Sequence, residues 1–216
     1  MTQRTAAWRL ARLGKVTASR IGDVITRTKS GYGAARATYA AQLVAERLTG
    51  VPSEGFVSAA MQWGIETEAY ARARYAFETD LEVRQVGFLG HPTMALCGAS
   101  PDGLVGEDGL VEFKCPTTAT HLQTLLGEPP PLKHLAQVQW QMAVTGRAWC
   151  DLVSYDPRVC LELQLFVRRI HRDAAVISAL EAEVAGFLDE IEGTLARLQA
   201  PRPMARATAR AAELAA

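Results

Sequence analysis

From residue 173 to about residue 200, apolar residues recur every three or four positions: Ile177, Leu180, Val184, Phe187, Ile191, Leu195 and Leu198. That period matches one face of an α-helix, so it predicts a long amphipathic helix, capped by Asp173 and stopped by Pro201. The same period predicts a helix over 36–49, with Tyr39, Leu43, Val44 and Leu48 facing inward. Further helices are predicted over 58–77 and over 133–144, the latter with Leu135, Val138 and Met142 as its stripe. Near the N-terminus, residues 8–13 form a short predicted helix ending at Gly14. Thr17 or Ser19 then caps a second helix that faces inward through Ile21, Val24 and Ile25. Elsewhere the pattern turns strand-like. Short apolar or alternating runs at 82–89, 94–99, 103–105, 110–115, 149–155 and 160–167 are bounded by Gly, Pro and Asp. Turns are expected at His91-Pro92 and Asp156-Pro157-Arg158, and a surface excursion at Gly127-Glu128-Pro129-Pro130-Pro131. Helices interleaved with strands predict an α/β fold: a mixed, twisted central sheet flanked by helices.

Composition refines this picture. With 216 residues, 49% of them hydrophobic, the chain suits one compact domain over residues 1–200. The alanine-rich segment 201–216 is expected to be a mobile tail or to dock on a neighbouring subunit. No run of about eighteen apolar residues predicts a membrane span, and no secretory signal pattern opens the chain. A cytoplasmic protein is expected. Cys97, Cys115, Cys150 and Cys160 contain no C-x-x-C pair, so an iron–sulfur cluster is not expected; all four are predicted as reduced core thiols. The formal net charge of zero excludes a strongly basic, indiscriminate nucleic-acid binder. Its distribution is uneven. Residues 1–50 carry nine Lys/Arg against two Asp/Glu, and residues 51–110 carry three against nine. One segment suits phosphate, the other a cation.

The chemistry concentrates in Ser100-Pro101-Asp102-Gly103 and Glu112-Phe113-Lys114-Cys115-Pro116, two strand-like runs around an expected turn at Asp108-Gly109. Period-two alternation puts Glu112 and Lys114 on one face and Phe113 on the other, toward a core. Closing the hairpin brings Asp102 beside Glu112. Two carboxylates can hold Mg²⁺ or Mn²⁺ with waters attached. Such an ion acidifies water and offsets phosphate charge in an in-line displacement. Lys114 can orient that water, or take its proton if burial lowers its pKa. The plain structural alternative is a hairpin with a solvated salt bridge. The apolar neighbours Val111, Phe113 and Cys115 argue for a recessed face, where carboxylates need a partner.

These residues resemble the PD-(D/E)XK nucleases, and more narrowly their phage lambda exonuclease-like, viral recombinase branch. The segment from Trp8 to Ser19, Trp63-Gly64 with Glu68, Gln137-Val138-Gln139-Trp140 and Tyr155-Asp156-Pro157-Arg158 follow the family's order. The resemblance covers nearly all of the chain except the tail. It implies a metal-dependent 5′→3′ exonuclease that digests one strand of linear duplex DNA from 5′-phosphorylated ends to mononucleotides. The 3′ single strand left behind serves a single-strand annealing protein in phage-type recombination. A ring-shaped homotrimer and a phage or prophage in a bacterial host are also implied.

The resemblance assigns residues as well. Asp102, Glu112 and the main-chain carbonyl of Phe113 hold Mg²⁺, with Mn²⁺ as the alternative. Lys114 orients the water, Glu68 supports the metal shell, and Gln137 reaches the site. Arg12, Ser19 and Lys29 grip the terminal 5′-phosphate, with Ser100 as a further hydroxyl. Met61 is the candidate strand-separating wedge, against the plainer reading of a core methionine. Glu66 rivals Glu68; the two point about 200° apart on a helix, so only one faces the site. Where the family has a basic residue, this chain has Thr120 followed by His121. Two other classes stay open: a different nuclease of the superfamily, cutting internally or acting on single strands, and a non-catalytic DNA-end-binding module.

Overall fold

The computed structural model describes residues 3–53 and 58–200. The predicted tail, 201–216, lies outside the described residues. Helix α1 (Ala6–Arg12) is capped by Thr5, whose side chain accepts from Trp8 N–H. It ends before Gly14, which takes the left-handed conformation at φ 65° that favours glycine. Strand β1 (Val16–Thr17) and a 3₁₀ turn over Ala18–Arg20 lead into the short helix α2 (Ile21–Ile25). The capped second helix is therefore delayed. Thr17 continues a strand instead of capping with its hydroxyl. A small hairpin, β2 (Arg27–Thr28) and β3 (Gly31–Tyr32), precedes α3 (Ala34–Thr49) and α4 (Ala59–Thr79).

The expected strand over 82–89 is two short ones: β4 (Val83–Arg84), in the main sheet, and β5 (Leu89–Gly90), in a small sheet with β6 (Cys97–Ala99) and β1. Then come β7 (Gly103–Val105), β8 (Gly109–Lys114), α5 (Thr118–Leu125), α6 (Leu132–Thr145), β9 (Trp149–Tyr155), β10 (Leu165–His171) and α7 (Ala174–Gln199). The last strand starts five residues later than its apolar pattern suggests, because Leu161–Leu163 turn through a 3₁₀ helix.

The main sheet has the order β10-β9-β8-β7-β4. Strands β8 and β9 are parallel and every other pair is antiparallel, so the sheet is mixed as expected. The parallel step is made by the α5–α6 crossover, which places α6 directly over β8. Alternation along β8 then splits its neighbours. Leu110 joins Val138 and Met142 of α6 and Ile177 of α7 on one face. Val111 and Phe113 join Ala71 and Tyr75 of α4 on the other. Burying Phe113 contributes on the order of 2–3 kcal/mol, and its ring meets Tyr75 edge-on at 5.9 Å. A third cluster ties α2, α3, α6 and α7 together around Tyr39, Trp140 and Phe187.

Six of the seven apolar positions expected on α7 are buried; Leu198 is 40% exposed. Leu48 at the end of α3 is likewise exposed, since each of these two positions sits in the last turn, beyond its packing partner. Cys97 and Cys150 are buried thiols and Cys115 is half-buried, but Cys160 is exposed, because it precedes the 3₁₀ turn and not a core strand. No helix among the described residues is long and apolar enough to cross a membrane.

Candidate active site

The β7–β8 hairpin turns through Gly106, Glu107 and Asp108, one step earlier than the expected Asp108-Gly109 turn. Gly106 supplies the positive φ of 52°. Gly109 is the first residue of β8, pairing with Val105. The Trp149 ring occupies the space its missing side chain leaves, 2.1 Å from where a Cβ would stand. The pairing Gly103↔Val111 sets Asp102 across from Glu112. Asp102 Oδ2 accepts from the Phe113 backbone N–H at 2.8 Å.

Glu112 is 4% exposed. Its Oε1 accepts from Lys114 Nζ at 2.7 Å and from Gln137 Nε2 at 2.6 Å; its Oε2 accepts from Gln141 Nε2 at 2.7 Å. Gln137 Oε1 in turn accepts from Lys114 Nζ at 3.0 Å. Both glutamines stand on α6, one turn apart, which aims them at one strand residue. From the sequence, Gln141 is expected to share a helix face with Gln137 but not to reach the site. The signal was present in its i, i+4 relation to Gln137, but a mid-helix glutamine is usually solvated, and only the burial of α6 against β8 reveals its role.

Burial, with the charges of Glu112 and Glu68 adding to it, pushes the Asp102 carboxyl well above the usual aspartate range. Lys114 and the Phe113 N–H oppose that shift. For Lys114, burial pulls the pKa down, but Glu112 and Asp102 outweigh it and the net shift is upward. The ammonium form is favoured. That corrects one expectation: in this arrangement Lys114 is poised to donate hydrogen bonds and not to take a proton.

These groups face a cleft of about 670 Å³. Its walls bring together Arg12, Ser19, Met61, Glu68, Ser100, Asp102, Glu112, Lys114 and Gln137. On α4, Glu68 lines the cleft, while Glu66 is exposed and pairs with Gln62 Nε2 at 2.6 Å. The helix geometry thus selects Glu68. Both its oxygens are engaged, by Arg4 and by Arg72, so it acts on the cleft mainly through charge. Met61 is 55% exposed on the cleft wall beside Ile65, so it is not a core methionine. Ser100 Oγ accepts from Trp8 Nε1 at 2.9 Å. The Arg12 guanidinium lies 4.0 Å over the Trp8 ring and donates to Thr17 Oγ1. Burial lowers its pKa, although Tyr39 and Glu46 oppose this.

Two sequence candidates fall elsewhere. Lys29 sits exposed at the tip of the β2–β3 hairpin and does not line the cleft. His121 is fully buried: Nδ1 pairs with Ser154 Oγ at 2.8 Å and Nε2 with the Leu163 carbonyl at 2.7 Å. It pins α5 to the sheet and cannot replace a DNA contact. Two residues not anticipated do line the cleft, Lys133 and His134 at the start of α6. Burial, then the charges of Lys114 and Lys133, push the His134 imidazole down to about 4, so it is neutral near pH 7.

Among the described residues no three His, Cys, Asp or Glu side chains form a ready-made cation cluster. The donor set that fits a divalent ion is Asp102, Glu112 and the Phe113 carbonyl, completed by water. The fit rests on charge. Asp102 makes one side-chain hydrogen bond among the described residues and faces two further carboxylates, so a cation there relieves their repulsion.

The sequence profile of the YqaJ-like viral recombinase domain matches residues 7–148. This chain belongs to the YqaJ-like viral recombinase family. Its architecture is similar to an alkaline exonuclease (LHK-Exo) from Laribacter hongkongensis. The two share 48% identity over 98% of this chain and 100% of that one, with a TM-score of 0.84. The structure of LHK-Exo in complex with dAMP matches with the same identity, coverage and TM-score. A phage related exonuclease from Haemophilus somnus 129PT is 13% identical, covers 85% of this chain and 96% of its own, and has a TM-score of 0.67, which shows the shared fold. Comparison with curated protein sequences yields no match.

Proposed function

We propose that this chain is a divalent-metal-dependent 5′→3′ exonuclease that degrades one strand of linear duplex DNA from a 5′-phosphorylated end. The observation that carries the reading is the convergence of Asp102, Glu112 and Lys114 on one cleft, with Glu112 clamped by Gln137. A passive end-binding module needs no such trio. The 48% identity to an alkaline exonuclease over the full length supports it independently.

Asp102, Glu112 and the Phe113 carbonyl would hold Mg²⁺ or Mn²⁺. When bound, such an ion acidifies water and offsets charge on the phosphate. The protein groups do the rest. Lys114, kept as an ammonium, donates hydrogen bonds to the attacking water and to the oxygens that gain charge. Gln137 holds both Lys114 and Glu112, so the donor and the carboxylate keep a fixed separation. The water oxygen bonds to phosphorus as one of its protons passes to surrounding water, the P–O3′ bond breaks, and O3′ takes a proton from solvent to leave as a hydroxyl. A 5′-mononucleotide leaves, and the next nucleotide carries a fresh 5′-phosphate. Arg12, Ser19 and Ser100, which line the same cleft, receive that terminal phosphate. Met61 presents an apolar side chain to the end base pair.

The remaining 3′ strand suits a single-strand annealing partner, and membership of the family supports a ring-shaped homotrimer acting in the cytoplasm of a bacterial host. The test is Mg²⁺-dependent digestion of a linear duplex labelled separately at each end. Mononucleotides from the 5′-phosphorylated end first, lost in Asp102→Ala, support the reading. Internal fragments, or release from the 3′ end, overturn it.

A further inference from the structure

Gln137 and Gln141 both donate to Glu112, but they differ in one respect. Gln137 uses both ends of its amide: Nε2 donates to Glu112 and Oε1 accepts from Lys114. Gln141 uses only Nε2. Its Oε1 is buried, on a residue 0% exposed, with no hydrogen-bond partner among the described residues. A buried amide oxygen left unpaired is costly, about 1–3 kcal/mol. Swapping the amide ends would only set that oxygen against the Glu112 carboxylate. The orphan therefore calls for a donor, and Gln141 lines the cleft where water enters.

We infer that Gln141 is a positioning residue that sets the cation affinity of the Asp102–Glu112 pair. Its amide N–H locks Glu112 Oε2, and its carbonyl oxygen accepts from an ordered water at the floor of the cleft. This inference rests on the nuclease reading of the cleft. The three hydrogen bonds on Glu112 come from two directions: Lys114 along the strand, and the two glutamines from α6. Without Gln141, Glu112 Oε2 loses its only protein donor among the described residues, and the carboxylate is free to rotate out of register with Asp102. Outer-shell partners of this kind change metal affinity about 10–100-fold.

The test is isothermal titration of Mg²⁺ and Mn²⁺ into the DNA-free full chain, comparing wild type with Gln141→Met, which keeps the length and apolar bulk but removes the amide. Melting is followed in EDTA alongside. The expected result is an ion Kd raised about tenfold or more, with the EDTA melting temperature unchanged or lower because the buried Glu112 Oε2 loses its donor. Gln141→Asn, whose shorter amide cannot reach Glu112, gives the same weakening and serves if the Met variant does not fold. Wild-type affinity in the variants, with only the melting temperature moved, overturns the inference and leaves the nuclease reading intact. A wild type that binds neither ion overturns both.

Discussion

Asp102 accepts a hydrogen bond from the backbone of Phe113, two residues of one hairpin joined across the Gly103↔Val111 pairing. The strand ladder itself therefore fixes the distance between the two candidate metal carboxylates. Asp102→Asn keeps an acceptor for that N–H but removes the charge. Hydrolysis should fall at least about 10²–10³-fold, the loss typical of deleting a key electrostatic group. The fold should not suffer. Asp102 is held above its ordinary pKa, so near pH 7 its ionised form opposes folding, and removing the charge should hold or raise the melting temperature in EDTA. An active Asp102→Asn enzyme, or one melting well below wild type, contradicts this.

Lys114 separates a chemical role from a binding one. Lys114→Met preserves the stem and deletes the ammonium that bonds Glu112 and Gln137. Turnover should fall to background while binding of a duplex end, measured by fluorescence anisotropy with Ca²⁺ replacing Mg²⁺, stays within a few-fold. Loss of both together would mean that Lys114 chiefly holds the cleft's shape.

Much of this was legible in the sequence because it follows from short-range rules. Alternation placed Phe113 against Glu112 and Lys114, and a hairpin brought Asp102 back beside them. What the sequence hid depends on which helix lies over which strand. Gln141 and Lys133 became site residues only when the α5–α6 crossover laid α6 across β8. The resemblance left His121 open and placed Lys29 at the phosphate; His121 satisfies both ring nitrogens in the core, and Lys29 sits at a hairpin tip that does not line the cleft.

Gly109→Ala tests the packing beneath the site strand. An added Cβ would stand 2.1 Å from the Trp149 ring, which itself lies under the Arg169 guanidinium at 3.6 Å. The half-buried ring must therefore shift off its stack on Arg169 to admit the methyl group. Overpacking of this kind costs about 1–3 kcal/mol, read as a lower denaturant midpoint with an unchanged slope.

Asp156 braces the segment that follows Lys114. It is buried and accepts from the Arg158 N–H and guanidinium, while Arg158 also bonds the Pro116 carbonyl at 3.0 Å. Burial alone would raise its pKa, but the bonds from Arg158 and Thr118 prevail and bring it from 3.8 down to about 2. A depressed carboxyl stabilises the fold above its unfolded pKa and ceases to do so as pH falls through the folded one. Asp156→Asn should therefore cost about 1–2 kcal/mol at pH 7, allowing for the solvent-facing Arg158. The gap to wild type should close between about pH 4 and pH 2. A gap independent of pH across that window would assign the effect to packing.

The last prediction concerns end recognition. Arg12, Ser19 and Lys133 share the cleft wall, whereas Lys29 does not reach it. Lys133 packs its Cβ over Gly22 of α2, only 2.7 Å from where a glycine side chain would begin, and its ammonium has no ion pair among the described residues. Arg12 is the more buried cation and stacks on Trp8. Initial rates on 5′-phosphate and 5′-hydroxyl duplexes should separate these roles. Arg12→Ala should lower the preference for phosphorylated ends about tenfold or more, the worth of a charge-assisted hydrogen bond. Lys133→Ala should weaken binding of both ends and reduce the salt dependence by about one phosphate contact. Lys29→Ala should leave the end preference unchanged. If Lys29→Ala removes the preference and Arg12→Ala does not, the terminal phosphate is held at the β2–β3 hairpin and not by the cleft residues.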